Sequence, residues 1–459
     1  MNNDTIAAIA TPVGQAGIGI IRISGPKAKE IADKMFWPKK QVKHIQSNHL
    51  YLGHLHDPSS GEIIDEILLS FMKAPLSYTR EDVIEINSHS GYLLLSKILQ
   101  IILRLGARLA RPGEFTLRGF LNGRIDLTQA EAVVDLINCQ SEKGLTLASR
   151  QIQGSFGKQI KDLRQKAVEI LARVEAAIDF PEEESDIVPR DEAANKIHKE
   201  LIKPVETLIE VHARKRIWVD GVKTVIVGRV NAGKSSLLNR LLEEQRAIVT
   251  PIPGTTRDVI ESTITIEGLP LCLVDTAGFR EARDEAERIG LHLTEKKLAE
   301  ADLLLAVIDQ SRPINQDDLD IIAQSRGKNS LLVINKIDLK SQLTSEIEQD
   351  VFSHLPLVRI SALTGQGLDE LRKAIVDCAL GGHIDMTTSH GAPNLRHSQA
   401  LEEAVQCFRR AGRKVEEAAP MEIVAFEIRS GLDALGRIIG EATTEEVLDS
   451  IFSQFCLGK

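Results

Sequence analysis

Lys223-Thr-Val-Ile-Val-Gly-Arg-Val-Asn-Ala-Gly-Lys-Ser-Ser236 decides the fold of this chain. Val225, Ile226 and Val227 are a short apolar run of the kind that makes a strand buried on both faces of a parallel sheet. Gly228 ends the run, and Gly228-x-x-x-x-Gly233-Lys234-Ser235 matches the P-loop pattern in full. A glycine-rich turn aims backbone N–H groups at phosphate, and the helix behind it adds its positive end. Leu237, Leu238, Leu241 and Leu242 recur at helical spacing, so the strand–loop–helix context is present. Asn231, Ala232, Gly233, Lys234, Ser235 and Ser236 are therefore expected to hold a nucleotide. Lys234 would reach the β- and γ-phosphates and the Ser235 hydroxyl would ligate Mg2+.

Downstream, three more segments complete a nucleotide-binding order. Gly254-Thr-Thr-Arg-Asp258 precedes an alternating strand, Ser262–Ile266. A threonine here binds Mg2+ through its hydroxyl and senses the γ-phosphate through its backbone. Thr250, Thr255 and Thr256 are the candidates, with Thr256 beside Ser235 on Mg2+. The apolar run Leu271–Val274 ends in Asp275-Thr276-Ala277-Gly278, where Asp275 would hold the Mg2+ shell and Gly278 would approach the γ-phosphate. Leu331–Ile334 runs into Asn335-Lys336-Ile337-Asp338, and the Asp338 carboxylate can accept both N–H groups of a guanine edge. Adenine lacks that donor pair, so GTP is expected over ATP. Ser361 and Ala362, after strand Leu357–Ile360, would close over the base. Phe279 stands where Ras-like GTPases carry the glutamine that orients water, so either another residue substitutes or hydrolysis is negligible. The acidic stretch Glu281–Glu287 is within reach, against the alternative of a solvated helix start.

The chain has 459 residues, enough for two to three domains. Its net charge is −9, so no overall basic character advertises nucleic acid; a local patch or a basic partner would be needed. Five scattered cysteines without a C-x-x-C pair fit a reducing compartment better than disulfides or zinc. No signal-peptide pattern and no apolar run of ~18 residues is present, so a cytoplasmic protein with no membrane span is expected.

Upstream, residues 5–24 read as two strands around a turn, with Arg22 facing away from the side that Ile21 and Ile23 bury. A helix is expected over Pro26–Met35, strands over His49–His54, Ile63–Phe71 and Val83–Ser88, and a helix over Gly91–Leu105. Phe115–Leu127 reads as a dense connector. Helical patterns follow from Thr128 to about Ile178, over Arg190–Arg216, and again over Asn394–Arg413 and Pro420–Gly440. The expected fold class is multidomain α/β and α+β. An N-terminal α+β domain (1–118) precedes a helical domain (119–216 and 382–459) interrupted by an inserted Ras-like P-loop GTPase domain (217–381). A separate C-terminal domain is the alternative.

With these residues assembled, the sequence resembles the MnmE (TrmE) family of tRNA-modifying GTPases nearly end to end. The resemblance rests on Asp4-Thr5-Ile6…Arg22-Ile23-Ser24-Gly25, Arg111-Pro-Gly-Glu-Phe115, Phe120-Leu-Asn122, Gly254–Asp258 and the final Cys456-Leu-Gly-Lys459. It implies a folate-binding-type N-terminal domain that joins a homodimer, with a tetrahydrofolate one-carbon donor (5-formyl- or methylene-tetrahydrofolate) held by Arg22, Glu85, Arg124 and Lys459. The family often has lysine where Arg124 stands and glycine where Arg80 and Ser90 stand. The resemblance also implies K+-dependent pairing of GTPase domains, with K+ held by Asn231, Thr250, Ile252 and Thr255 and water oriented by Glu287. The implied partner is MnmG (GidA), in a heterotetramer or larger complex that installs an aminomethyl-type group on C5 of the wobble uridine of certain tRNAs. Cys456 reads as a buried small hydrophobe or a functional thiol. A prenylated anchor is disfavoured because Leu457-Gly458 do not supply two aliphatic positions.

The residues alone also permit a regulatory GTPase that binds RNA and recruits other proteins. The absence of an evident RNA-binding appendage and the terminal Cys-Leu-Gly-Lys favour the enzyme, and binding of 5-formyltetrahydrofolate discriminates the two.

Overall fold

The computed structural model describes residues 4–12, 14, 16–40, 42, 44–139, 141–180, 189–219, 221–243, 262–274, 301–325, 328–343, 352, 355–380, 393–441 and 443–459. The chain opens with β1 (Ile6–Ile9), β2 (Gly19–Ser24), α1 (Ala28–Met35), β3 (Phe36–Pro38), β4 (Leu50–His56), β5 (Ile63–Met72), β6 (Val83–Ser88), α2 (Tyr92–Arg104) and β7 (Arg108–Leu109). Among the described residues these strands form one sheet in the order β3-β4-β5-β6-β2-β1-β7, antiparallel except for β1 beside β7. Alternation decides its faces. Ile21, Ile23, Ile67, Leu69, Ile84 and Ile86 point one way and pack under Ile31 and Met35 of α1 and Ile98 and Ile102 of α2. Each such side chain contributes about 2 kcal/mol by leaving water. Arg22 and Glu85 face each other across β2 and β6 on the opposite side, as the alternation requires.

Two short strands escaped the sequence reading. Phe36–Pro38 continues straight from α1 at the sheet edge, where the missing N–H of Pro38 is tolerated. Arg108–Leu109 is only two residues, too short for any period to register. The stretch read as a connector is also partly a helix: α3 (Glu114–Leu121) buries Glu114, Phe115, Thr116, Arg118 and Gly119. A helix with two buried charges and a glycine has no amphipathic pattern, so tertiary contacts stabilise it and the period does not reveal it.

Helices α4 (Leu127–Asn138), α5 (Glu142–Ile152) and α6 (Ser155–Asp179) divide the long helical pattern, with Gly154 left-handed at φ 84° at the last break. Then come α7 (Arg190–Ile197), one π-helical turn (His198–Ile202) and α8 (Lys203–Val219). The nucleotide-binding stretch supplies β8 (Val222–Gly228), α9 (Lys234–Glu243), β9 (Ser262–Ile266), β10 (Leu269–Val274), β11 (Leu303–Asp309), α10 (Gln316–Ser325), β12 (Ser330–Asn335), β13 (Leu357–Arg359) and α11 (Leu368–Leu380). The chain closes with α12 (Leu395–Glu416), α13 (Met421–Ile439) and α14 (Glu445–Phe452).

Contacts gather the chain into two units. One comprises Met1–Val134, Gln151–Lys203 and Ala400–Lys459; the other comprises Asp135–Arg150 and Pro204–Gln399. In the first, α13 packs along α6, and Gly431 lets it approach Phe408 of α12. In the second, the sheet runs β13-β12-β11-β8-β10-β9 among the described residues and is parallel apart from the β9–β10 hairpin. Strands β11 and β12 are buried along their whole length, as continuous apolar runs demand. The carboxyl ends of β8, β11 and β12 lie side by side in this order, the place where open parallel sheets bind ligands.

Candidate functional site

The P-loop leaves β8 at Gly228, and Leu237 N–H donates to Gly233 O at 2.8 Å to start the helix. Gly233 sits at φ 98°, and a Cβ there would drive into Asn335 Nδ2. Both conformation and space therefore require glycine. Asn335 uses both ends of its amide: Nδ2 donates to Ala232 O at 2.9 Å, and Ala362 N–H donates to Oδ1 at 3.0 Å. One buried side chain thus clasps the phosphate loop to the base-side loop.

Lys234 Nζ donates to Gly228 O at 2.6 Å and Arg229 O at 2.8 Å, which curls it over the loop. Burial pushes its ammonium below the usual lysine range, and a phosphate anion beside it would oppose that shift. Lys336, left-handed at φ 66°, donates from Nζ to Asn231 O at 2.8 Å and to Asp309 Oδ2 at 2.6 Å. Asn231 is itself left-handed at φ 65°. The exposed Asp338 accepts from the buried Ser361 hydroxyl at 2.5 Å, and Thr364 N–H donates to that hydroxyl at 3.1 Å. Ser361 thus aims the carboxylate that would read guanine. Ser235 and Ser236 are exposed in the first turn of α9. The Ser235 hydroxyl is a hard oxygen donor at the phosphate loop and fits Mg2+.

The structure brings together Asn231–Ser236, Asn335, Lys336, Asp338, Ser361 and Ala362. Thr250, Ile252, Thr255, Thr256, Asp275, Thr276, Ala277, Gly278, Phe279 and Glu287 lie outside the described residues. Sequence reasoning missed Asp309, which ends β11, and Gln310, which follows it and bonds the backbone of the Asn335–Asp338 loop and of Leu339 just beyond it. The available signal was a carboxylate closing a buried apolar strand.

A second cluster lies in the other unit. Arg22 pairs with Glu85 at 2.8 Å, and its NH1 donates to Gly458 O at 3.0 Å. Phe115 N–H donates to Lys459 O at 3.2 Å. Gly458 is at φ 90°, where a Cβ would come within 2.5 Å of Ile9 O. The tail therefore lies flat on β1 only with glycine at that position. Tyr78, absent from the sequence reading, joins the remaining candidate. Its ring carries the Arg124 guanidinium at 4.7 Å and Arg22 at 5.8 Å, and its hydroxyl meets Thr116 at 2.9 Å. Arg124 NH1 also donates to Tyr78 O at 3.1 Å. Arg22 and Arg124 thus share the Tyr78 ring, with Glu85 joined through Arg22 and the Lys459 backbone through Phe115, while the Cys456 side chain is exposed. Arg80 is left-handed at φ 59°, a conformation that glycine adopts at less cost, and donates to Asn122 O at 3.0 Å.

An ionic core stands behind this cluster. Arg118 reaches Asp4 at 2.7 Å, Glu81 at 3.1 Å and Glu114 at 3.2 Å, and Arg108 reaches Asp4 at 2.7 Å and Glu114 at 2.6 Å. Burial works to raise the carboxyls of Asp4 and Glu114. Hydrogen bonds and charge from the two arginines outweigh it, so both lie below the usual carboxylate range.

A family model described as the MnmE helical domain matches residues 127–456, and one described as the GTP-binding protein TrmE N-terminus matches residues 5–124. The chain is 43% identical over 462 residues to the tRNA modification GTPase MnmE of Geobacillus kaustophilus, covering 99% of each chain. It is 44% identical over 464 residues to the protein of that description from Desulforamulus reducens, covering 100% of each. The corresponding Staphylococcus aureus protein is 41% identical over 459 residues, again covering 100% of both. Among the described residues, no helix is long and apolar enough to cross a membrane.

Proposed function

The chain belongs to the MnmE family of tRNA modification GTPases, and from that premise we propose that its GTP hydrolysis serves the remodelling of the wobble uridine. The chemistry joins an aminomethyl-type group to uridine C5, with a tetrahydrofolate derivative as one-carbon donor and the flavoprotein MnmG as partner. The observation that carries this reading is the docked tail, which gathers Arg22, Glu85 and Lys459 on one sheet face with Arg124 stacked on Tyr78. Paired arginines and a lysine suit the glutamate carboxylates of a folate, and Tyr78 offers a flat apolar edge to a ring system. The N-terminal domain of residues 1–118 joins two protomers, the GTPase domain spans 217–381, and the helical domain is built from 119–216 and 382–459.

In the GTPase domain, the P-loop amides and Lys234 bind phosphate, Asp338 selects guanine, and Ser235 with Thr256 would hold Mg2+, which supplies charge to the phosphates when bound. Asn231, Thr250, Ile252 and Thr255 would hold K+, and Glu287 would orient water where Phe279 cannot. When bound there, K+ would supply the positive charge that an arginine finger supplies in other GTPases.

Nucleosides from tRNA of a strain lacking this gene, with and without the gene restored, test the reading directly. Loss and recovery of the C5-substituted wobble uridine is expected; unchanged nucleosides reject it. Single-turnover hydrolysis tests the cation. The rate is expected to be much higher in K+ than in Na+, and Glu287→Ala should lower it by about two orders of magnitude. Equal rates in the two salts reject the K+ site, and a normal rate in the variant rejects the role of Glu287.

A further inference from the structure

We propose that Asp309 is a positioning residue for guanine-nucleotide binding, acting through Lys336 on both the base-reading loop and the P-loop. Strand β11 is buried along its length and ends at this carboxylate, whose side chain is only 8% exposed. A buried carboxylate is costly unless both oxygens are used. Here they are used for different tasks. Oδ1 accepts from the Ser311 N–H at 2.9 Å and the Ser311 hydroxyl at 2.6 Å, which fixes the plane of the group. Oδ2 is thereby aimed at Lys336 Nζ, 2.6 Å away.

Lys336 is the lysine between the two base-site residues Asn335 and Asp338, and its ammonium has two anchors. One is Asp309; the other is the Asn231 carbonyl in the phosphate loop at 2.8 Å. A flexible four-carbon stem bonded only to one neutral carbonyl would sample many rotamers, and a charge partner holds it in one. Asp309 thus fixes Lys336, and Lys336 fixes the left-handed Asn231 turn.

The neighbouring residue separates this role from plain support of the loop. Gln310 N–H donates to Asn335 O at 3.2 Å, and its Nε2 donates to Leu339 O at 3.0 Å and Lys336 O at 3.3 Å. Gln310 therefore secures the backbone of the Asn335–Asp338 loop without Asp309. Removing the Asp309 charge should free the lysine side chain and leave the loop standing.

The test uses the full chain with Asp309→Asn, Asp309→Ala, Lys336→Met and the Asp309→Ala/Lys336→Met double variant. Binding of fluorescent GDP and GTP is titrated, single-turnover hydrolysis is followed at saturating GTP with Mg2+ and K+, and nucleotide-free thermal unfolding is recorded. Asp309→Asn should weaken GDP and GTP alike by about tenfold, the scale of one charge-assisted contact. Affinity should fall more than the saturated rate, since Asp309 bonds the lysine of the base-reading loop directly and the phosphate loop only through it. The double variant should bind no more weakly than Lys336→Met alone, because the effect of Asp309 passes through that lysine. Unchanged affinity in Asp309→Asn overturns the proposal. So does full additivity in the double variant, or a loss of affinity that merely tracks a fall in nucleotide-free stability.

Discussion

The two candidate sites are built in opposite ways. In the nucleotide site, Lys234 bonds to carbonyls five and six residues away, and strand, loop and helix come from one continuous stretch. In the tail site, Arg22 meets Gly458 across 436 residues of chain. The phosphate loop is fixed once its strand has paired, because the backbone conformation carries most of its geometry, and Asn335 and Lys336 then clasp it from a later strand and loop. The distant site closes a very long loop, and that loss of entropy must be offset by the packing beneath it. Hence an ionic core of Asp4, Glu81, Arg108, Glu114 and Arg118 lies under the tail, whereas the P-loop rests on strands buried in apolar contacts.

The contrast breaks most severely if the ionic core can be removed without consequence. Glu114→Gln removes one partner of a buried network and should cost about 3 kcal/mol in the first unit. Hydrogen exchange along β1 should rise with it, while nucleotide affinity stays unchanged. Because the Asp4 and Glu114 carboxyls are held below their usual range, their stabilising effect is fully present above the unfolded carboxylate values near pH ~4. It is lost as pH falls through the lower folded values. Glu114→Gln should flatten that acid-side decline, and an unaltered decline would refute the role of the network.

A smaller effect in the other unit sharpens the local half of the contrast. Gly233→Ala forces a left-handed alanine against Asn335 and should weaken GTP binding by at least ~100-fold. Folate binding by the same variant should match the wild type. Equal GTP affinity would show that the loop can move away from Asn335.

The smallest expected effect concerns the tail. Removing Lys459 should weaken 5-formyltetrahydrofolate binding by about tenfold, the scale of one charged contact, with GTP affinity untouched. Equal folate affinity in the shortened chain would take Lys459 out of the site.

The same contrast explains what the sequence could tell. Val225–Val227, Gly228–Ser235 and Asn335–Asp338 carry period and residue type within a few positions, so strand, loop and base reader are legible. Arg22 is placed on the outer sheet face by alternation alone, and its partner Glu85 only by register. Tyr78 lies in a loop with no period, and nothing local announces that two guanidiniums meet its ring. Helix α3 is hidden because its buried residues include Glu114 and Arg118, which read as solvent-facing until Arg108 and Asp4 are in place. Asp309 is the same case on a smaller scale: its meaning depends on Lys336, which arrives from the next strand.

The docking of Gly458 on β1 also sets a timetable for synthesis. At roughly 5–20 residues per second, a ribosome needs about 20–90 s to travel from Arg22 to Gly458. Glu85 follows Arg22 early in that interval, and the phosphate loop is made midway. A nascent chain can thus become competent for GTP well before its tail site is complete. The Arg22 guanidinium thus acquires its Gly458 partner only after α14, the final helix among the described residues, has been made.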